Sequence, residues 1–152
     1  ISVAALGSMT HGLVVDRTLE DKRTAEMVAK LNIKIGQLGD AVATLSGGNQ
    51  QKVVIAKWLL TGASIVLLND PTRGIDVGTK QEIYQLLRDL ADAGTAVLLY
   101  STDYDELIGC CDRVLIMYDG RVVRELAGAD ITEANIVASS LNISLERTEA
   151  QA

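Results

Sequence analysis

Apolar and polar positions follow one another along this 152-residue chain in patterns that predict alternating strands and helices. Residues 65–68 and 96–100 are continuous apolar runs, which are typical of strands buried on both faces of a parallel sheet. Between the two runs, isoleucine and leucine recur at i, i+3, i+4 and i+7, which predicts an amphipathic helix opened by a capping box of Thr79 and Glu82. A strand, a helix and a second strand in this order indicate a parallel pair.

The remaining patterns complete an α/β fold with a C-terminal antiparallel hairpin. Residues 114–118 and 121–125 flank Asp119-Gly120, a two-residue turn that is favoured in hairpins. Further helices are predicted from Thr18 to Leu31, over residues 53–60, over residues 103–109, and from a cap at Asp130 with Glu133. We expect a helical subdomain over residues 1–62, an α/β core over residues 63–143, and a frayed tail over residues 144–152.

Composition and charge narrow the possible functions. Hydrophobic residues make up 48% and charged residues 22% of the chain, which is typical of a globular domain and excludes a disordered protein. The net charge is −6, so the basic stripe of a nucleic-acid binder is not expected. Cys110 and Cys111 lack histidine partners, which indicates reduced thiols rather than zinc ligands. No apolar run reaches the roughly 18 residues of a membrane span, and the start at Ile1 suggests an excised fragment.

Residues 45–52, Leu-Ser-Gly-Gly-Asn-Gln-Gln-Lys, are a candidate phosphate-binding segment. Gly47 and Gly48 allow close approach of a ligand to the backbone, and the first amides of the following helix are unpaired. The helix dipole favours an anion there, and Ser46 adds a hydroxyl donor. Taken alone, the same segment is also compatible with an ordinary helix start after a flexible turn.

Polar residues follow both apolar runs, where the carboxyl ends of parallel strands meet. Asn69 and Asp70 follow the first run, and Thr102 follows the second. A carboxylate in this position can hold Mg²⁺ and orient a water molecule, although a plain polar turn has the same composition. Gly74-Ile75-Asp76 predicts a tight turn before the long helix.

Taken together, the segments LSGGNQQK and IVLLNDPTRGID, followed by a strand and Ser-Thr-Asp, resemble the ATP-binding-cassette (ABC) ATPases. The similarity extends over residues 16–140, and the segments LSGGNQQK and PTRGIDVG look like those of the ribose, galactose and xylose importers. It implies a partial P-loop NTPase-like domain, with ATP and Mg²⁺ as cofactors of the full assembly. It assigns residues 46–50 to the signature loop, residues 65–70 to the Walker B strand, residues 74–76 to the D-loop, and Thr102 to the switch position. By this resemblance the nucleotide-binding residues are Ser46, Gly47, Gly48, Asn49, Gln50 and Asp76.

The chain departs from the family pattern at three positions that would serve its own ATP site. The family has Asp-Glu where this sequence has Asn69-Asp70, so the metal position is neutral and the catalytic carboxylate is shorter by roughly 1.3–1.5 Å. Thr102 replaces the family's histidine, which removes a group able to carry positive charge. No Gly-x-x-x-x-Gly-Lys-[Ser/Thr] P-loop is present in the sequence.

These departures, beside an intact signature loop, predict a second cassette with a degenerate site of its own. Family cassettes pair head to tail, so the signature loop here would complete the ATP site of a first cassette. The resemblance also implies transmembrane permease subunits and, indirectly, a periplasmic sugar-binding protein as partners. It places the protein in the cytoplasm, peripheral on the inner face of the membrane, and we expect the isolated chain to hydrolyse no ATP.

Two other readings remain open at this point. The chain could be a non-catalytic cassette kept for docking and regulation, because a degenerate site and a docking module look alike in sequence. It could also be the C-terminal lobe of a structural-maintenance-type ATPase, although residues 1–40 show no heptads and the net charge is acidic. The signature-loop interpretation requires that Ser46 be accessible from outside the domain.

Overall fold

The structure, a computed structural model, describes residues 1–11 and 14–141. It divides into two compact units, Ile1–Tyr100 and Ser101–Ala152. The predicted boundary between residues 62 and 63 lies inside the first of these units and stays a prediction. The predicted frayed tail over residues 144–152 lies outside the described residues.

The first unit contains the predicted parallel strand pair together with three α-helices. Its elements in chain order are a 3₁₀ helix at Ser2–Met9, β1 at Thr10–His11, β2 at Val14–Val15, α1 at Arg17–Lys30, a 3₁₀ turn at Val42–Thr44, α2 at Gly47–Leu59, β3 at Ile65–Asn69, α3 at Val77–Asp92 and β4 at Ala96–Tyr100. β3 and β4 run parallel, in a register that pairs Ile65 with Ala96 and Asn69 with Tyr100. The predicted strand–helix–strand unit is therefore confirmed.

The core of the first unit lies between α2, α3 and one face of the strand pair. It is formed mainly by aliphatic side chains, among them Ile55, Ala56, Ile83, Leu86, Leu87 and Leu90, with Leu68 and Val97 packed against them. The i, i+3, i+4, i+7 stripe of α3 is the stripe that is buried, as its spacing predicts.

Burial of the strands on both faces is a prediction that the structure corrects. Alternate residues point to opposite sides of a strand, and the side opposite the core is open in the described residues. Leu67 is 72% exposed and Leu98 is 61% exposed. A groove of about 460 Å³ beside β3 is lined by apolar side chains that include Val54, Trp58 and Leu67. The continuous apolar run is therefore half-buried within this chain.

The predicted helix starts are also corrected, because better caps lie upstream of them. α3 begins at Val77 rather than Thr79, since the Asp76 carboxylate accepts the amide hydrogen of Thr79 at 3.0 Å. α2 begins at Gly47 rather than at residue 53, and α1 is capped by Asp16 rather than Thr18. In each case the helix extends further toward its N-terminus than its apolar stripe does.

The second unit is built around the predicted hairpin. Its elements are α4 at Tyr104–Cys110, β5 at Arg113–Tyr118, β6 at Arg121–Ala127, a 3₁₀ turn at Gly128–Asp130 and α5 at Glu133–Ser140. The turn residues Asp119 and Gly120 both have positive φ, at 46° and 72°, as a hairpin of this length requires. α5 is capped by Thr132 rather than by Asp130. Within residues 1–11 and 14–141, no helix combines the length and hydropathy of a bilayer-spanning segment.

Candidate functional site

The predicted signature loop, residues 46–50, forms the start of α2. Ser46 is the N-cap residue by backbone conformation, but its side chain accepts no hydrogen bond from the helix amides. Ser46 and Gly47 are both exposed. Ser46 is therefore accessible within this unit, as the signature-loop interpretation requires, and the first amides of α2 have no partner inside the helix.

The two glycines of the loop have different surroundings. A Cβ placed on Gly47 would meet no atom within 4 Å, so this glycine borders open space. A Cβ placed on Gly48 would come within 2.3 Å of Thr79 Cγ2, because α2 and the first turn of α3 touch there. Gly48 is thus required for packing within the unit, whereas Gly47 leaves room for an external group.

The side chains of Asn49 and Gln50, both predicted to contact nucleotide, hold the loop itself together. Asn49 Nδ2 donates to Ser46 Oγ at 2.9 Å, and Asn49 Oδ1 accepts the backbone N–H of Lys34 at 2.9 Å. Gln50 Nε2 donates to the Leu45 carbonyl at 2.8 Å. The loop is therefore fastened both internally and to the segment that follows α1.

Lys52 is a residue of this region to which the sequence pattern assigned no role. It is only 3% exposed, and its Nζ donates to the Asn32 carbonyl at 3.2 Å and to the Glu82 carboxylate. The hydrogen bond and the charge of Lys52 hold the pKa of Glu82 below its ordinary value. The one signal that the sequence offered was the position of Lys52 directly before the apolar residues 53–56 of α2.

The polar turn after β3 contains the predicted Walker B residues. Asn69 shares the exposed side of β3 with Leu67. Asp70 has φ of 44°, a left-handed conformation that aspartate tolerates, and its N–H donates to the Tyr100 carbonyl at 2.8 Å. No cluster of three or more histidine, cysteine or acidic side chains suited to a metal occurs in the part of the chain that the structure describes. Asp70 supplies the carboxylate of this turn, whereas Asn69, at the predicted metal position, offers only a neutral amide oxygen.

The predicted D-loop aspartate, Asp76, lies in the turn before α3 and caps that helix. Gly74 has φ of 76°, which an L side chain rarely adopts. Both Asp76 carboxylate oxygens accept hydrogen bonds from Thr79, one from its N–H and one from its hydroxyl at 2.8 Å. These bonds lower the pKa of Asp76. Thr102 is an exposed residue of the second unit, and its predicted convergence with Asp70 stays a prediction.

A helix that begins beside the exposed residues Ser46 and Gly47, a parallel β3–β4 pair and a polar turn after β3 match an ATPase cassette of the ABC type. The chain belongs to the ABC transporter family of ATPases. Residues 6–73 match the model of the family described as ABC transporter.

Curated relatives match nearly the whole chain. The chain is 62% identical over 143 residues to the ribose import ATP-binding protein RbsA 1 of Mesorhizobium japonicum, which covers 94% of this chain and 28% of that protein. It is 59% identical over 149 residues to the protein of the same name in Rhizobium etli, with 98% of this chain and 29% of that protein covered. The chain thus spans less than a third of the length of these relatives.

The fold is shared with solved ATP-binding cassettes. The dimeric, post-hydrolysis structure of the ATP-binding cassette MJ0796 bound to ADP and Pi superposes with a TM-score of 0.66 and 27% identity. The match covers 82% of this chain and 54% of that chain. The predicted fold class, a partial P-loop NTPase-like domain, is therefore confirmed.

Proposed function

We propose that the chain is part of the ATP-binding subunit of a sugar importer and supplies a signature loop to the ATP site of a partner cassette. The observation that carries the proposal is the exposure of Ser46 and Gly47 at the start of α2, with open space beside Gly47. The sugar class is supported by the relatives named for ribose import. The segment fits the terminal phosphate of ATP, which is an anion with acceptor oxygens only.

The physical basis is the helix start. The first amides of α2 lack partners within the helix, and the dipole of the helix adds partial positive charge at this end. A phosphate placed beside Gly47 would accept hydrogen bonds from these amides and from the Ser46 hydroxyl. Because Gly47 has no side chain, the phosphate could approach the backbone closely.

The chain's own ATP site would be weak in this proposal. Asn69 is neutral, and Asp70 carries its carboxylate on a side chain one methylene shorter than the family's glutamate. Mg²⁺, when bound with ATP, would neutralise phosphate charge, and Asn69, at the metal position, would hold it only weakly because its amide oxygen is neutral. Thr102 has no cationic form, so it would not replace the family's histidine. Hydrolysis would therefore occur at the site that this signature loop completes.

The proposed partners follow from that arrangement. They are a first nucleotide-binding cassette, permease subunits that span the membrane and, through them, a periplasmic sugar-binding protein. No nucleic acid is involved, and the protein would act in the cytoplasm at the inner face of the membrane. A cassette that only docks would bind the first cassette equally well with and without ATP, whereas an ATP sandwich requires the nucleotide.

The test compares two substitutions in the full-length protein assembled with its permease. Gly47→Asp places a carboxylate against the phosphate, so we expect ATPase activity to be abolished. Asp70→Asn alters the weak site and should matter much less. Gly39→Asp is a matched control, because Gly39 is exposed and a Cβ there meets no atom within 4 Å. Reversed effects of the first two variants would contradict the assignment of intact and degenerate sites.

The isolated chain provides a second measurement. Without a P-loop, its phosphate release should stay below about 0.01 per second, which is slow against typical enzymes. Faster turnover by the purified 152-residue chain would show that its own site is competent.

A further inference from the structure

We propose that Asn49 is a positioning residue that fixes the direction of the Ser46 hydroxyl, so that this hydroxyl donates its hydrogen outward. The inference rests on the proposed function, since the outward acceptor would be the phosphate of the partner's ATP. It assigns Asn49 a role through Ser46 rather than a contact with nucleotide.

The orientation of the Asn49 side chain follows from a backbone amide. The N–H of Lys34 can only donate, and it lies 2.9 Å from the Asn49 side chain. The atom that faces it must therefore be the acceptor, Oδ1, because the amide NH₂ has no acceptor capacity. This contact removes the usual ambiguity between the oxygen and the nitrogen of an asparagine.

The orientation of Asn49 in turn determines what Ser46 does. With Oδ1 toward Lys34, Nδ2 faces Ser46 Oγ at 2.9 Å, and Nδ2 can only donate. Ser46 Oγ therefore acts as the acceptor in this contact. Within residues 1–11 and 14–141, no group accepts a hydrogen bond from the Ser46 hydroxyl, and Ser46 is exposed. Its hydrogen is thus directed away from the loop.

The opposite asparagine orientation would have the opposite consequence. If Oδ1 faced Ser46, the hydroxyl would donate inward and present only lone pairs to an approaching phosphate. The lone pairs of the Ser46 hydroxyl and the phosphate oxygens would then face each other and repel. The backbone N–H of Lys34, at the start of the segment that follows α1, is therefore what makes Ser46 an outward donor.

Asn49→Asp tests this chain of contacts, because it preserves the shape and the acceptor for Lys34 but removes the donor. Ser46 would then donate inward, to the new carboxylate. In the full-length protein assembled with its permease, we expect Asn49→Asp and Ser46→Ala each to raise the KM for ATP by about tenfold, as loss of one hydrogen bond to a charged group predicts. Combined, the two changes should raise it little further, since both remove the same donor.

The negative charge that Asn49→Asp adds is the alternative explanation for a rise in the KM for ATP. The double variant separates this explanation from the loss of the Ser46 donor. Repulsion of the phosphate by an aspartate at position 49 would persist without the Ser46 hydroxyl. Fully additive effects of Asn49→Asp and Ser46→Ala would therefore overturn the inference. If Ser46→Ala had no effect on KM, the proposed function itself would fail.

Measurements on the 152-residue chain decide the geometry independently of ATP. In NMR spectra, Ser46→Ala should shift the side-chain amide protons of Asn49, because their acceptor is removed. The Lys34 amide should exchange slowly with solvent in the wild type and in Asn49→Asp, and faster in Asn49→Ala. An unchanged Asn49 resonance in Ser46→Ala, or unchanged Lys34 exchange in Asn49→Ala, would overturn the inference even if the ATP site were correctly placed.

Discussion

The adjacent glycines of the signature loop should respond to alanine with opposite changes in stability. At Gly48, a Cβ would lie 2.3 Å from Thr79 Cγ2 and 2.8 Å from Thr79 Oγ1. Carbon atoms in contact prefer about 3.5–4.0 Å, so α2 and α3 must separate by roughly 1 Å. Thr79 cannot easily rotate away, because it is β-branched and its hydroxyl donates to Asp76.

The magnitude follows from two opposing terms. Overpacking of this kind costs about 1–3 kcal/mol, while replacing glycine by alanine within a helix recovers about 0.5–1 kcal/mol. We therefore expect Gly48→Ala to lower the free energy of unfolding by up to about 2.5 kcal/mol. Gly47→Ala meets no neighbouring atom and should leave stability unchanged or raise it by up to about 1 kcal/mol.

Urea denaturation of the chain measures this difference, followed by far-UV circular dichroism and by the fluorescence of Trp58, the only tryptophan. With a denaturant dependence of about 1–3 kcal/mol per molar, the two midpoints should differ by roughly 1 M. Thr79→Ala should reduce the cost of Gly48→Ala, because it removes the two closest atoms. Equal destabilisation by Gly47→Ala and Gly48→Ala would refute the reasoning, as would an unchanged cost of Gly48→Ala in the Thr79→Ala background.

Two further predictions concern a charged pair and the core. Because the hydrogen bond and charge of Lys52 lower the pKa of Glu82, the pair stabilises the fold above the unfolded-state pKa of about 4.3 and ceases to do so as pH falls through the folded-state pKa. Lys52→Met should therefore flatten the fall of the urea midpoint below pH 5; a fall as steep as in the wild type would contradict this. Ile83→Ala, at a fully buried site, should cost about 2–5 kcal/mol, whereas Leu67→Ala, at a 72% exposed site, should cost under about 0.5 kcal/mol by the same assay.

The sequence predicted the type of most elements and the order in which they occur. The stripe of α3, the apolar runs of β3 and β4, and the Asp119-Gly120 turn each depend on neighbours a few residues away, and all three were confirmed. The helix starts were predicted less well. Asp76 and Thr132 compete as caps with residues nearby, and the choice depends on how far the helix can extend before it meets other elements.

The candidate site, like the fold, was predicted from the sequence only in part. The spacing of the signature and Walker B segments identified the family, because each short motif has a local backbone requirement that is visible in sequence. The different roles of Gly47 and Gly48 were not visible, since they depend on Thr79, which is thirty-one residues further along the chain from Gly48. The exposure of Leu67 likewise depends on what covers the sheet, and the apolar run of β3 carries no information about that.

By itself, then, the sequence determined the family, the strand–helix–strand order and the residues that make the start of α2 suited to an anion. Only the tertiary structure decided how that start is held. Lys34 orients Asn49, Asn49 orients Ser46, and Lys52 joins Asn32 to Glu82. The physical reason is that hydrogen bonds and close packing depend on distances between segments remote in sequence, whereas periodicity and turn chemistry depend on near neighbours.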